Sequence, residues 1–281
     1  MFLSGCVFPH ERTSSVYAFV IDIGDGFILE DQAVLTPRPL RDVERMLGAS
    51  QRLIQQMHYL GTYNDTDCVL YVIDRREDPG RFVNAFTANL RTLFELWDSD
   101  VWLVAGYAWQ IFEWGRNFRF CGRCGVETVI VDGERARRCE QCGLVNYPRI
   151  SPSMIVRVQK GDEILLAKNA QFKRPFYSIL AGFMEPGETL YECVTREVCE
   201  EVGVKVKNIR YFDSQYWPMS GSLMLGCVAD YDSGEIKIDE KEIEHAAWFK
   251  ADALPTVPSK RSIAGVMIDA FVMRHSNRKP E

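Results

Sequence analysis

The chain contains no apolar run approaching the ~18 residues of a membrane-spanning helix. It has no excess of positive charge. Its 281 residues carry a formal net charge of −6, which argues against strong nonspecific binding to nucleic acid, since that needs a basic surface. No basic segment, and no room for an apolar core, precedes Cys6, so the start of the chain does not read as an export signal. Nine cysteines are an odd number, and they fit a reducing compartment better than a disulfide framework. A cytoplasmic, membrane-free protein is expected. Beyond one doubled cysteine knuckle, no internal repeat or low-complexity segment appears.

At 47% hydrophobic, the chain can bury ordinary cores, and its length suggests two domains plus a small insert. The expected boundaries are 1–117, 118–148 and 149–281. In the first part, Val16–Asp22 and Phe27–Leu29 read as strands around an Asp25-Gly26 turn, and Cys68–Ile73 as a further strand. Phe82, Phe86, Leu90, Leu93 and Trp97 recur at helical spacing, as do Trp102, Ala105, Trp109 and Phe112. These stripes read as core or subunit interface, and no chemistry is visible among them. In the last part, strands are expected at Met154–Val158, Ile164–Ala167, Val204–Phe212 and Ser222–Tyr231. The segment Phe176–Ala181 leads into an acidic helix. A last helix spans Ser262–Arg274, with Ile263, Val266, Ala270 and Phe271 on one side.

Between these parts stand two C-x-x-C-G knuckles, Cys121/Cys124 and Cys139/Cys142, with fourteen residues between them. Each trailing glycine, Gly125 and Gly143, lets the backbone turn tightly enough for amides to face the sulfurs. Four thiolates make a closed tetrahedral set, the pattern of one structural zinc ion per chain. Two redox pairs or four free thiols are the alternative. The arginines in this segment, Arg123, Arg135, Arg137 and Arg138, read as solvated or interface residues.

The most informative stretch is Gly182–Val204, GFMEPGETLYECVTREVCEEVGV. Pro186-Gly187 signals a turn, Thr189 and Glu192 form a capping box, and Gly203 suits a left-handed helix end. Glu197, Glu200 and Glu201 then share one helix face at i, i+3 and i+4. Three like charges there repel and raise one another's proton affinity, a penalty that a hard divalent cation such as Mg²⁺ or Mn²⁺ removes. Arg196 reaches Glu200 at i+4, and Glu188 lies in the turn before the helix. On helical spacing alone a solvated acidic face is the better reading; the glycines and arginine in register favour a metal site suited to pyrophosphate hydrolysis.

Gly182, Glu188, Arg196, Glu197, Glu200, Glu201 and Gly203, with aliphatic Val198 and Val204, fit G-x5-E-x7-R-E-U-x-E-E-x-G-U at every fixed position, U being aliphatic. The chain therefore resembles the Nudix hydrolases. Downstream, Ser214–Ser222 is similar to the S-Q-P-W-P-F-P-x-S signature of the NADH pyrophosphatase branch of that family, the NudC type. Ser214, Gln215, Trp217, Pro218 and Ser222 agree, while Tyr216, Met219 and Ser220 depart. The departures put substrate preference in doubt, not hydrolysis.

The resemblance implies an α/β protein: an α/β/α Nudix sandwich preceded by a four-cysteine zinc ribbon and an N-terminal α/β domain. It implies a catalytic set of Glu188, Arg196, Glu197, Glu200 and Glu201. The Mg²⁺ or Mn²⁺ ligands would be Glu197, Glu200, Glu201, Glu242 and the carbonyl of Ala181. Nicotinamide would stack on Phe183, with Tyr147 contributed by the partner subunit of a homodimer. Gln215, Tyr216, Trp217, Pro218, Ser222 and Ala264 would complete the pocket. The implied reaction converts NADH or NAD⁺ and water to (reduced) nicotinamide mononucleotide and AMP, and NAD-capped RNA is an implied further substrate. The alternatives are hydrolysis of ADP-ribose, FAD or a diadenosine polyphosphate, or a non-catalytic adaptor that senses nucleotide.

Overall fold

The structure is a computed structural model, and it describes all residues except 10, 12, 25, 30–34, 36, 49–52, 83–84, 172–175 and 276–281. The chain divides into two compact units, Met1–Arg149 and Ile150–Glu281.

In the first unit the strands are β1 (Phe2–Ser4), β2 (Ser15–Asp22), β3 (Gly26–Leu29), β4 (Arg38–Pro39), β5 (Ile54–Tyr63), β6 (Thr66–Ile73) and β7 (Phe86–Ala88). They form one sheet in the order β1-β5-β6-β2-β3-β7, with β4 also paired to β2. Helix α1 (Leu40–Leu47), helix α2 (Leu90–Leu96) and helix α3 (Ser99–Asn117) accompany it. The hairpin expected around Gly26 forms as the antiparallel pair β2–β3, although Asp25 itself lies outside the described residues. The spacing of Trp102, Ala105, Trp109 and Phe112 is that of α3, where Trp102, Ala105 and Phe112 are buried.

The other aromatic stripe is not a single helix. Phe86–Ala88 pairs with β3 instead, and Asn89 starts α2 by accepting the Thr92 N–H. Phe86 is left exposed. A capping side chain and a sheet edge together outweigh the helical spacing of Phe82 and Phe86.

The ribbon follows as a small sheet of β8 (Val129–Ile130), β9 (Arg137–Arg138) and β10 (Val145–Asn146). Its Arg135 guanidinium reaches the carbonyls of Gly5 and Tyr59, so a ribbon side chain fills acceptors on the preceding sheet.

The second unit is built on β11 (Ser151–Lys160), β12 (Glu163–Asn169), β13 (Leu180–Phe183), β14 (Lys205–Trp217), β15 (Ser222–Ser233) and β16 (Ile243–Lys250), with helices α4 (Leu190–Val202) and α5 (Ile263–His275). The strand order is β14-β15-β11-β12-β16. One edge of β11 runs parallel to β15. The other edge is shared: Ser153–Val156 pair with β13, and Gln159–Lys160 with β12. Alternation along β11 sorts the core into two halves. Met154, Val156 and Val158 pack with Val194, Val198 and Val202 of α4. Ile155 packs on the opposite face with Ile263, Met267 and Phe271 of α5. A sheet with a helix on each face is the α/β/α sandwich.

The buried side of α5 is Ile263, Ala264, Met267, Ile268 and Phe271. Val266 is exposed, contrary to the sequence expectation. The i, i+4 stripe from Ile263 and Ala264 is continuous, and Val266 stands off it. Among the described residues no helix is long and apolar enough to cross a membrane.

Candidate active site and zinc site

Helix α4 begins at a reciprocal capping box: Thr189 accepts the Glu192 N–H, and the Glu192 carboxylate accepts the Thr189 N–H. Such a cap stabilises a helix start by about 1 kcal/mol. At the far end Gly203 takes φ 72°, the left-handed conformation that glycine adopts without a steric penalty. The last carbonyls of α4 are satisfied from outside the helix. Val202 O accepts from Lys237 N–H and Glu201 O from Asp239 N–H, each at 2.9 Å. These bonds tie the segment carrying Glu242 to the end of α4.

The three helix carboxylates differ in burial. The side chain of Glu200 is 61% exposed and that of Glu197 13%; Glu201 lies on the buried side with Val194 and Val198. Burial, reinforced by the charges of Glu197, Glu242 and Glu200, pushes Glu201 up to about 8. Burial also raises Glu197, despite its contact with Arg196. Exposed Glu242 adds to the repulsion on both, so its charge belongs to the same cluster.

Arg196 organises the solvent side of this cluster. Its guanidinium bonds Glu188 through both Nε and Nη2. It also reaches Glu197 and Glu200 at 3.0 Å each. A further Nη2 contact goes to the Phe183 carbonyl at 3.0 Å. This contact set holds Glu188 down at about 2, Arg196 being the first cause and the backbone N–H of Glu185 the second. A fork-shaped donor suits several carboxylates at once, which a lysine does not.

Gly182 stands in β13 directly beneath Glu197. A Cβ there would lie 2.0 Å from Glu197 Cδ. Ala181, its neighbour, pairs with Ile155, and Ser153 donates to the Gly182 carbonyl at 2.7 Å. Ser153 and Cys193, whose thiol donates to the Phe183 carbonyl at 3.5 Å, support the strand. Neither was visible in the sequence pattern, because both act on backbone carbonyls at positions that the motif leaves free.

The remaining residues proposed for the pocket fall in three environments. Phe183 and Tyr147 are exposed, and they belong to different units. Gln215, Tyr216 and Trp217 lie in β14 and are half-buried. Pro218, Ser222 and Ala264 are buried. Ser222 Oγ is 2.8 Å from Ser220 Oγ, and Ala264, on the buried side of α5, belongs to the apolar cluster between that helix and the sheet. The side chains of Ser222 and Ala264 therefore face inward.

In the ribbon the sulfurs of Cys121, Cys124, Cys139 and Cys142 all lie within 4.8 Å of one another. Gly125 and Gly143, at φ 77° and 73°, return their N–H groups to the carbonyls of Cys121 and Cys139 at 2.9 Å. Backbone N–H groups of Arg123 and Cys124 favour the Cys121 thiolate, lowering it to about 6. Four convergent sulfurs with such amide support fit a zinc ion, and the donor set is closed, as in structural sites.

Profiles of two protein domains match the chain: the NUDIX domain over residues 148–271 and the NADH pyrophosphatase zinc ribbon domain over residues 116–147. Among curated proteins, the NAD-capped RNA hydrolase NudC of Pseudomonas syringae pv. syringae (strain B728a) is 44% identical over 257 residues, covering 92% of this chain and 89% of that protein. NudC of Pseudomonas aeruginosa (strain LESB58) is 44% identical over 250 residues, covering 89% of this chain and 87% of that protein. Among solved structures, a NUDIX hydrolase from Nitrosomonas europaea aligns with a TM-score of 0.49 at 22% identity, covering 57% of this chain and 94% of that one. The chain belongs to the Nudix hydrolase family, in the NudC branch that carries a zinc ribbon before the hydrolase domain.

Proposed function

We propose that this protein hydrolyses the pyrophosphate of NADH and NAD⁺, giving (reduced) nicotinamide mononucleotide and AMP, and removes NAD caps from RNA to leave a 5′-monophosphate. The names of relatives alike over nine-tenths of the chain support this reading, as does the zinc-ribbon profile. The observation that carries it is the α4 cluster: Glu197 and Glu201 held with raised proton affinity beside Glu200 and Glu242. Such an all-oxygen, repelling set suits a hard divalent cation. Glu197, Glu200, Glu201, Glu242 and the Ala181 carbonyl would hold Mg²⁺ or Mn²⁺. When bound, the metal neutralises phosphate oxygens and lowers the pKa of a water.

The chain's own residues do the rest. Arg196 fixes Glu188, Glu197 and Glu200 in one array, and through the Phe183 carbonyl it joins that array to the strand bearing the exposed ring. Phe183 offers a flat face on which a nicotinamide stacks. Pro218, Tyr216 and Trp217 would shape the pocket, with Ser222 and Ala264 contributing backbone, since their side chains face inward. Tyr147 would come from the second subunit of a homodimer. The organisation proposed is 1–117 N-terminal domain, 118–148 ribbon and 149–281 hydrolase domain. The compartment proposed is the cytoplasm, consistent with nine cysteines of which none is in a disulfide.

The test is incubation of the purified protein with Mg²⁺ or Mn²⁺ and NADH, NAD⁺, ADP-ribose, FAD, diadenosine polyphosphates or 5′-NAD-capped RNA, with products resolved by chromatography. AMP and reduced nicotinamide mononucleotide from NADH, or a 5′-monophosphate from the capped RNA, are expected. Cleavage of ADP-ribose, FAD or diadenosine polyphosphates alone would overturn the substrate assignment and place the cause in Tyr216, Met219 and Ser220.

A further inference from the structure

Gln215 stands opposite Met224 in the β14–β15 ladder. Met224 is opposite Ser153 in β11, and Ser153 is opposite Phe183 in β13. Directly paired residues project to the same side of a sheet. Phe183, Ser153, Met224 and Gln215 therefore form one row across four strands. At about 4.8 Å per strand the row is about 14 Å long. Its face is the one covered by α5, because Met224 packs against the cluster that holds Ile263 and Met267.

The amide of Gln215 is committed to backbone. Its Nε2 donates to the Arg261 carbonyl at 3.0 Å, and its Oε1 accepts from the Ile263 N–H at 2.7 Å. One partner is an acceptor and the other a donor, so only one orientation of the amide satisfies both. Ile263 is the first residue of α5, and its N–H has no partner within the helix. Ser262 holds the same end: its Oγ accepts from Gly265 N–H at 3.2 Å and donates to the Ser259 carbonyl at 3.0 Å. The turn is tight enough that a Cβ on Gly265 would lie 2.1 Å from the Ser259 oxygen. Gln215 thus fastens the Ser259–Ser262 loop to the sheet at the end of the row farthest from Phe183.

We infer that Gln215 is a positioning residue: it acts through the Ser259–Ser262 loop, setting the wall of the nucleotide pocket opposite Phe183, with Met224 as the apolar floor between. The inference rests on the dinucleotide-pocket reading above. A substrate atom bonding to the Gln215 amide would have to compete with two short backbone bonds. The loop and the sulfur-bearing floor are left to face the ligand.

The experiment uses the full chain and three variants, Gln215→Met, Ser262→Ala and the double substitution. Amide hydrogen exchange is followed over residues 259–266, and KM and kcat are measured with NADH and ADP-ribose. Gln215→Met is expected to speed exchange at Ile263 and the following amides by about tenfold, the scale of one lost hydrogen bond. KM for NADH should rise several-fold with kcat largely kept. Ser262→Ala should give the same pattern, and the double variant should fall short of the product of the two effects, since both act on one loop. A rise in KM for Gln215→Met with exchange unchanged, or full additivity, would overturn the inference in favour of direct contact. Gln215→Glu keeps the shape and the acceptor for Ile263 but replaces the Nε2 that donates to the Arg261 carbonyl with a second acceptor. It should show the same signs at smaller size if the methionine variant does not fold. If the wild-type protein turns over no nucleotide, the functional reading fails separately. NAD⁺ protection of the 259–266 amides then decides the inference: protection in wild type that is lost in Gln215→Met supports it, and no protection in wild type overturns it.

Discussion

The carboxylate of Glu197 occupies the space that a side chain at position 182 would need: a Cβ on Gly182 would come within 2.4 Å of three Glu197 side-chain atoms. The glycine is demanded by a close approach, not by its φ angle. Gly182→Ala should therefore displace Glu197 while leaving the sheet paired. The expected result is a fall in kcat of about a hundredfold and a weaker Mg²⁺ dependence, with a stability loss of about 1–3 kcal/mol from overpacking. Mg²⁺ titration of activity alongside thermal unfolding checks this. Unchanged metal dependence would remove Glu197 from the metal set.

Glu201 makes the metal-free protein sensitive to pH. Its folded pKa of about 8 lies above the ordinary 4.5, so between these values the folded state holds more protons than the unfolded chain. The sign follows: the stabilising contribution is full below about pH 4.5 and is lost as pH rises through about 8. The loss is on the order of a few kcal/mol. Denaturant unfolding without added Mg²⁺ should show wild-type stability falling across this window relative to Glu201→Gln. Added Mg²⁺ should reduce the difference. Parallel profiles for the two proteins would contradict the assignment.

Arg196→Lys preserves charge but loses the fork that engages Glu188, Glu197, Glu200 and the Phe183 carbonyl together. Glu188 should move up from about 2 toward its ordinary value, so acid lability should begin at higher pH. The sign is that of a depressed carboxylate, whose contribution is present above its unfolded pKa and lost as pH falls through its folded one. Activity should drop by about a hundredfold, the scale of one lost catalytic-site donor. Wild-type acid unfolding in the lysine variant would argue that the pair is peripheral.

Cys139→Ser removes a sulfur that converges with three others. Zinc content and thermal stability should fall together, because ribbon folding and metal binding are one process. Metal analysis after gel filtration and a melting curve test this. Normal zinc stoichiometry in the variant would count against the four-sulfur site.

Where local chemistry and tertiary structure agree, the pattern of residues was readable. The capping box at Thr189 and Glu192, the left-handed Gly203 and the four convergent cysteines follow from spacing alone, because each is a contact within one short segment. Phe82 and Phe86 misled, because a sheet edge at Ala88 and a cap at Asn89 divided what looked like one helix. Val266 misled because the buried face of α5 is set by its two-residue start at Ile263 and Ala264. The ties from Lys237 and Asp239 to the end of α4 were not legible, nor was the Gln215 clamp. Both join segments far apart in sequence through backbone atoms, which leave no side-chain signature.

Pyrophosphate hydrolysis is proposed to depend on the carboxylates of α4. The most direct test compares kcat for NADH, with saturating Mg²⁺, between the wild-type protein and Glu201→Gln, with circular dichroism to confirm folding. The substitution keeps the shape and removes the buried carboxylate that would ionise to hold the metal. A fall on the order of a thousandfold, about 4 kcal/mol of barrier, is predicted with the fold intact. A folded variant that retains near-wild-type turnover would contradict the account.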